Sequence, residues 1–292
     1  MYVQSSFSGN RTEGGELYLV STPIGNLQDI TVRALDTLKS VDVIAAEDTR
    51  QTKKLLTHFE IDTKLISHHE HNKEASLKGI IQWLKEGKKV ALVSDAGMPA
   101  ISDPGYELVR EAVQCEVPVI AIPGPNAALS ALIASGLPTD KFIFLGFLPR
   151  DKKPLREELN RVKVYPETLL FYEAPHRVLK MLKEVREVLG NRKVTLAREL
   201  TKKYEEYTRG HLDEVIPYLE GLDQIRGEFT VVVEGNIHGL GEETSEWWAE
   251  LDSIAHVEGY IQQGLTSKEA IKRAAEDRKV PKREIYNLYH GE

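Results

Sequence analysis

Three short runs of the chain gather side chains suited to proton transfer and charge stabilisation. Glu47-Asp48-Thr49-Arg50 sets two carboxylates beside a guanidinium. Ser67-His68-His69-Glu70-His71-Asn72 clusters three imidazoles around a carboxylate, and Glu173-Ala174-Pro175-His176-Arg177 combines a carboxylate, an imidazole and a guanidinium. A carboxylate or imidazole can take a proton from a weakly acidic hydroxyl, and a guanidinium can hold a phosphate or a developing alkoxide. The candidate catalytic residues are therefore Glu47, Asp48, Arg50, His69, His71, Glu173 and His176, with the Asp48 and Arg50 pair foremost. A Glu-Asp-Thr-Arg run ahead of a helix is equally what helix capping requires. The histidine run is a poor metal motif, because adjacent residues point in different directions, the HExxH spacing is missing and no cysteine lies nearby. No metal is expected.

A fourth stretch, VALVSDAGMPAISDPG at 90–105, reads as strand, long loop and helix start. Loops in α/β units usually run about 2 to 6 residues, so a longer one at the carboxyl end of a strand points to ligand contact. Gly97 and Pro99 curve the backbone, while Ser94, Asp95, Ser102 and Asp103 offer hydroxyls and carboxylates at its two ends.

These loops need a scaffold, and the hydropathy pattern supplies one. Strands are expected at 16–21, 41–46, 64–67, 90–93 and 117–122, separated by helices, with good N-caps at Asp29 to Thr31. That alternation predicts an α/β fold with a parallel five-stranded sheet and a crevice at the carboxyl ends of its strands, where every unusual loop falls. Further strands are expected at 142–147, 168–172, 193–199, 205–209 and 228–234, with helices between 147 and 168 and over 175–189; short connections predict a mixed second sheet. The expected organisation is a flexible polar arm (1–14), a first α/β domain (15–125), a second (126–237) with the cleft between them, and a Gly/Glu-rich tether leading to a small helical domain (238–292).

Composition narrows the function further. A chain of 292 residues with 41% hydrophobic content can bury substantial cores. No apolar run approaches the roughly 18 residues of a membrane span, the N-terminus lacks a signal-type apolar segment, and the single Cys115 excludes an internal disulfide. A cytoplasmic protein without membrane contact is expected. A net charge of -7 disfavours non-specific coating of nucleic acid, but two local basic patches remain. Arg150, Lys152, Lys153 and Arg156 form one. Lys268, Lys272, Arg273, Arg278, Lys279, Lys282 and Arg283 form the other, within a cap, helix, turn and helix resembling a helix-turn-helix. Tyr204, Tyr207, Trp247 and Trp248 are either base-stacking or core aromatics. GxGxxG, GxxxxGK[ST] and GxSxG are all absent, so neither a dinucleotide fold, a P-loop nor a hydrolase elbow explains the crevice.

Eight motifs in order, STPIGNLQDIT (21–31), AAEDTR (45–50), SHHEHN (67–72), SDAGMPAISDPG (94–105), IPGPNA (122–127), FYEAPHR (171–177), ARELTKKYEE (197–206) and GEFTVVVEG (227–235), resemble the tetrapyrrole methylase superfamily. Within it they are most similar to the branch that methylates the ribose 2'-hydroxyl of a cytidine in the decoding centre of 16S rRNA. The resemblance implies S-adenosyl-L-methionine folded between two α/β domains. By motif it assigns cofactor contacts to Pro23, Ser94, Asp95, Gly97, Ile101, Ser102, Asn126, Ala127, Tyr172, Ala197 and Thr230. It also implies a homodimer and, as partner, 16S rRNA or the 30S subunit. RNA contacts are then expected from Arg150, Lys152, Lys153, Arg156, Lys268, Lys272, Arg273, Lys279 and Arg283. A methylase of tetrapyrroles or proteins, and a non-catalytic RNA-binding module, are the alternatives; the basic tail and the acidic and histidine loops favour the first reading.

Overall fold

The first sheet runs in the order β3-β2-β4-β1-β5, all parallel, with β1 at Glu16–Val20, β2 at Val43–Ala46, β3 at Lys64–Ser67, β4 at Lys89–Val93 and β5 at Val119–Ile122. This is a computed structural model that describes residues 2–4, 14–69, 72–237, 248, 251–262 and 264–290. The wholly apolar run of β4 has a simple cause. Ala91 and Val93 pack against helices α1 (Val32–Ser40) and α2 (Thr49–His58), while Val90 and Leu92 pack on α3 (Lys73–Lys85) and α4 (Tyr106–Gln114), so both faces of the strand are covered. Because β4 returns between β2 and β1, the loops after β1, β2 and β4 become neighbours at one edge of the sheet.

Two strands of this sheet begin later than hydropathy suggests. Val41 and Val117 still donate their N–H groups to the preceding helices, to Thr37 and Ala112 respectively, so β2 opens at Val43 and β5 at Val119. The expected arm lies mostly outside the described residues, but Gln4 is placed: its amide accepts from Val119 N–H and donates to Val119 O, each at 2.9 Å, on the outer edge of β5.

Helix α5 (Ala127–Ser135) leads into a second sheet of order β6-β7-β10-β8-β9, built from Phe142–Phe147, Thr168–Glu173, Phe229–Val233, Lys193–Arg198 and Glu206–His211. β6 and β7 are parallel and the remaining pairs antiparallel, so the sheet is mixed as expected. Strand alternation sorts its residues. Leu169, Phe171, Leu196, Val231 and Val233 face α6 (Lys152–Val162), α7 (Pro175–Leu189) and α8 (Leu212–Glu220), whereas Leu170, Tyr172, Ala197 and Val232 face α5. Helix α8 has no counterpart in the sequence reading, because Pro217 sits inside it and removes a backbone donor where a helix interior needs one.

The chain separates into two compact units that divide between Gly235 and Asn236. The second unit is helical, as expected, with α9 (Ser253–Gln262), α10 (Ser267–Asp277) and α11 (Lys282–His290) packed around Val257, Ile271, Ala274 and Ile285. Thr266 caps α10 by accepting from Glu269 N–H, and Glu269 reaches back to Thr266 N–H. Removing this cap in Thr266→Ala is expected to cost about 1 kcal/mol of that unit's stability, read by chemical denaturation; an unchanged transition midpoint would deny the cap any energetic role. Among the described residues no helix is long and apolar enough to cross a membrane.

Candidate active site

The loop after β4 is fixed from within. Thr22 and Gly97 exchange both backbone hydrogen bonds, at 2.9 and 3.0 Å; Thr22 Oγ1 donates to Ser94 O, and Ser94 Oγ donates to Gly97 O. Gly97 has φ +80°, where a side chain would be strained, and its missing Cβ would sit 3.4 Å from Ile24. Ala100 and Ser102 also hold left-handed backbone, at φ 65° and 62°. Such residues cost roughly 1 to 3 kcal/mol each and cluster where a loop's shape serves a ligand.

Facing this loop, three strands of the second sheet lay a floor. Thr230 is paired with Tyr172 on one side and Ala197 on the other, so these three side chains stand abreast on one face. Tyr172 Oη accepts the N–H of Ala128 at 3.3 Å, tying the floor to the first turn of α5. A cleft of about 590 Å³ lies between floor and loop.

Of the residues expected to hold a cofactor, Asp95, Gly97, Ile101, Ser102, Asn126, Ala127, Tyr172, Ala197 and Thr230 line this cleft. Pro23 and Ser94 do not; Ile24 lines it in place of Pro23, and Ser94 is buried, its hydroxyl hydrogen-bonded to the carbonyls of Ala96 and Gly97 and to the Asp103 carboxylate, where it partly offsets the rise in that group's pKa. Asp103, noted in the sequence only as a polar residue of the loop, lines the cleft as well, and so do Phe147, Lys202 and Glu228, to which the sequence assigns no role. Lys202 Nζ donates to Glu199 Oε1 at 3.0 Å and Glu228 Oε2 at 2.8 Å. Burial opposes its charge, yet these two carboxylates hold its pKa above the usual lysine range.

The candidate catalytic groups divide. Glu47, Glu173 and His176 line the cleft; Asp48 and Arg50 do not. Asp48 is the N-cap of α2, accepting Arg50 N–H at 2.8 Å and pairing with the Arg50 guanidinium, again at 2.8 Å, which holds its carboxyl down at about 2. That low value makes Asp48 a weak proton acceptor, and the helix-capping role explains both residues. Its backbone N–H donates to Asp95 Oδ1 at 3.0 Å, linking the β2 loop to the β4 loop. His69 is outside the cleft lining; its backbone N–H donates to Asn72 Oδ1, and its ring lies close enough to Glu47 to favour that carboxylate's charge. His71 lies outside the described residues. His68 is buried with Nδ1 2.8 Å from Ser76 Oγ. Among the described residues no group of three or more His, Cys, Asp or Glu side chains is arranged to hold a metal.

The electrostatics single out Asp103. Its carboxyl is pushed up to about 6, first by burial and then by the nearby charges of Glu47 and Asp95. Glu47 is raised in turn by burial and by Asp95. On the opposite wall the fully buried Glu173 carboxylate is raised by burial, countered by the N–H of Ala174 at 2.8 Å and by Arg177, His176 and Arg150.

The two basic patches are less open than the sequence suggests. Lys152 and Arg156 both pair with Glu184, Lys272 lies 3.8 Å from Glu276, and Arg273 lies 3.9 Å from Asp277. Arg150, Lys153, Lys268, Lys279 and Arg283 are exposed. Arg278 is internal, its guanidinium donating to His256 Nδ1 and to the carbonyls of Trp248, Leu251 and Asp252. Trp248 is half-buried and stacks on His256 with ring centroids 4.7 Å apart, so one ring face is taken up within the helical unit; Trp247 lies outside the described residues.

Two sheets meeting at a cleft, with a strained loop from one and a three-strand floor from the other, define the class. The chain belongs to the tetrapyrrole (corrin/porphyrin) methylase family, whose model matches residues 16–216. Among its relatives, it is 57% identical to the ribosomal RNA small subunit methyltransferase I of Bacillus subtilis, over 98% of each chain. It is equally 57% identical to the protein of that name from Halalkalibacterium halodurans, over the full length of both. In structure it resembles the uroporphyrin-III C-methyl transferase of Thermus thermophilus complexed with S-adenyl homocysteine, with a TM-score of 0.52 and 19% identity over 77% of this chain and 100% of that one. That likeness concerns the fold.

Proposed function

We propose that this chain transfers a methyl group from S-adenosyl-L-methionine to a ribose 2'-hydroxyl of 16S rRNA, on a cytidine of the decoding centre. The observation that carries the reading is the cleft itself, where the Asp95 to Ser102 loop faces the Tyr172, Thr230 and Ala197 floor beside a cluster of carboxylates. Full-length similarity to proteins named as rRNA methyltransferases supplies the substrate class.

The residues present fit such a cofactor. About 590 Å³ is within the range of small-molecule sites. Glu47, Asp95 and Asp103 offer negative charge to a cation, Gly97 lets backbone approach closely, and the floor offers a flat bed to a purine. When bound, S-adenosylmethionine supplies a methyl group on a positively charged sulfur.

What the chain then adds is alignment and a proton acceptor. The two walls hold the acceptor hydroxyl in line, and Asp103, ionised near neutral pH but more basic than an ordinary aspartate, takes the proton the hydroxyl loses as the new C–O bond forms. Glu47 and Asp95 keep Asp103 basic through like-charge repulsion, and Glu173 with His176 shapes the opposite wall. Asp48 and Arg50 brace the β2 loop against Asp95.

The reading includes two α/β domains meeting near residue 126, a cytoplasmic location and a homodimer. Support for the dimer comes from α5, an almost wholly apolar helix whose Leu129 and Ile133 remain 44% and 78% exposed. RNA attraction is assigned to the exposed cations. Charge reversal at Lys268, Lys279 and Arg283 is expected to weaken binding of 30S subunits and to lower the slope of log affinity against log salt by roughly 0.7 to 0.9 per lost phosphate contact. An unchanged slope would leave the helical unit without that role.

The acceptor class is tested by incubating the protein with labelled S-adenosylmethionine and, separately, 30S subunits, protein-free 16S rRNA and a tetrapyrrole. Label in either RNA sample supports the proposal. Label in the tetrapyrrole alone would replace it with the family's other chemistry.

A further inference from the structure

One aromatic ring at the cleft belongs neither to the floor nor to the carboxylate cluster. Phe147 ends β6 and is 59% exposed, yet it lines the cleft, with its ring centroid 5.6 Å from that of Tyr172 and tilted by 59°. Its position is built. The β6–β7 register breaks between Phe144 and Phe147, and the break contains Gly146 at φ +60°, where a Cβ would stand 3.0 Å from Ser102 Oγ. A bulge of this kind re-aims the side chain that follows it. Immediately beyond, the Arg177 guanidinium donates to Leu148 O at 2.9 Å and Pro149 O at 3.3 Å while pairing with Glu173, so the segment carrying Phe147 is pinned to α7. Arg150 follows on the same segment, exposed and near enough to Glu173 to favour its charge.

We propose that Phe147 is a stacking platform for the base of the target nucleotide, with Arg150 meeting an adjacent phosphate. This rests on the RNA reading above and specifies how the nucleotide is held. The ring stands at the rim of a cleft whose floor is already laid by Tyr172, Thr230 and Ala197, which leaves its face for a second flat group. An unstacked base is such a group: single-stranded RNA is held by stacking on aromatic faces, with cations along the backbone. Packing at a protein surface would be served as well by any apolar side chain of similar volume, whereas stacking requires a ring.

That distinction sets the test. Phe147→Leu and Phe147→Trp are compared with wild type for kcat and KM, with 30S subunits as acceptor, and for the thermal shift caused by S-adenosylmethionine alone. Phe147→Leu should raise KM, or lower kcat/KM, by about five-fold to a hundred-fold, the usual range for one stacked base. Phe147→Trp should remain within a few-fold of wild type, and the cofactor shift should be the same in all three. Wild-type behaviour of the leucine variant would overturn the platform, as would loss of the cofactor shift in it, which would assign the ring to the cofactor. Failure of the wild type itself to methylate either 30S subunits or protein-free 16S rRNA, with its cofactor shift intact, would instead remove the RNA reading and the platform with it.

Discussion

Asp103→Asn is expected to lower kcat by about 10²-fold to 10⁴-fold, the usual contribution of a positioned base, while the cofactor-induced thermal shift persists. Asp103 lines the cleft, and its carboxyl is pushed up to about 6 by burial and by Glu47 and Asp95. A base must be ionised, so wild-type activity should fall as pH drops through about 6. Removing a like charge in Glu47→Gln should move that acid limb to lower pH.

Stability should move in the opposite sense to activity. The folded pKa of Asp103 lies above the ordinary aspartate value of 3.8, so its ionised form is disfavoured by folding. The penalty is absent below about 3.8, grows as pH rises and is complete above about 6. Without cofactor, Asp103→Asn should therefore have a Tm equal to or above wild type at pH 8, and no advantage at pH 4. A variant with normal turnover would remove Asp103 from the chemistry; lost turnover together with a lost cofactor shift would make it a structural residue.

Ser102→Tyr is expected to abolish cofactor binding. At about 100 times its Kd, S-adenosylmethionine should stabilise the wild type by roughly 2.7 kcal/mol. Ser102 lines the cleft at φ 62°, with its hydroxyl beside Gly146 of the opposite wall, so a phenol ring there would fill the space between loop and second sheet. The substitution lies on an exposed loop residue that belongs to none of the hydrophobic clusters packed on the two sheets. Its Tm without cofactor should be close to wild type, with no rise on adding cofactor. An undiminished rise would put the cofactor elsewhere.

Much of this was legible in the residues because local rules agreed with the fold. β4 reads as a buried parallel strand since both its faces are covered, and the length of the 94–105 loop marks the cleft in the sequence itself. Tyr172, Ala197 and Thr230 were legible only through the motif resemblance, and the pairing of β7, β10 and β8 is what sets them on one face. What stayed hidden depends on residues far apart in sequence. Asp103 stood in the loop already noted, but its basicity comes from Glu47 and Asp95, which the β2-β4 pairing brings to it. Asp48 and Arg50 have the right side chains for catalysis, yet they satisfy each other at a helix N-terminus. The Lys202 to Glu228 contact spans 26 residues, and Phe147 gains its position from a bulge that hydropathy does not register.

The central claim is that this cleft methylates a ribose hydroxyl, and the chemical position of the methyl group tests it most directly. 30S subunits lacking the modification would be incubated with the protein and labelled S-adenosylmethionine, and their 16S rRNA digested to nucleosides for mass spectrometry. The account predicts label in 2'-O-methylcytidine, lost in Asp103→Asn. Label on a nucleobase, or in a nucleoside whose ribose is unmodified, would contradict it.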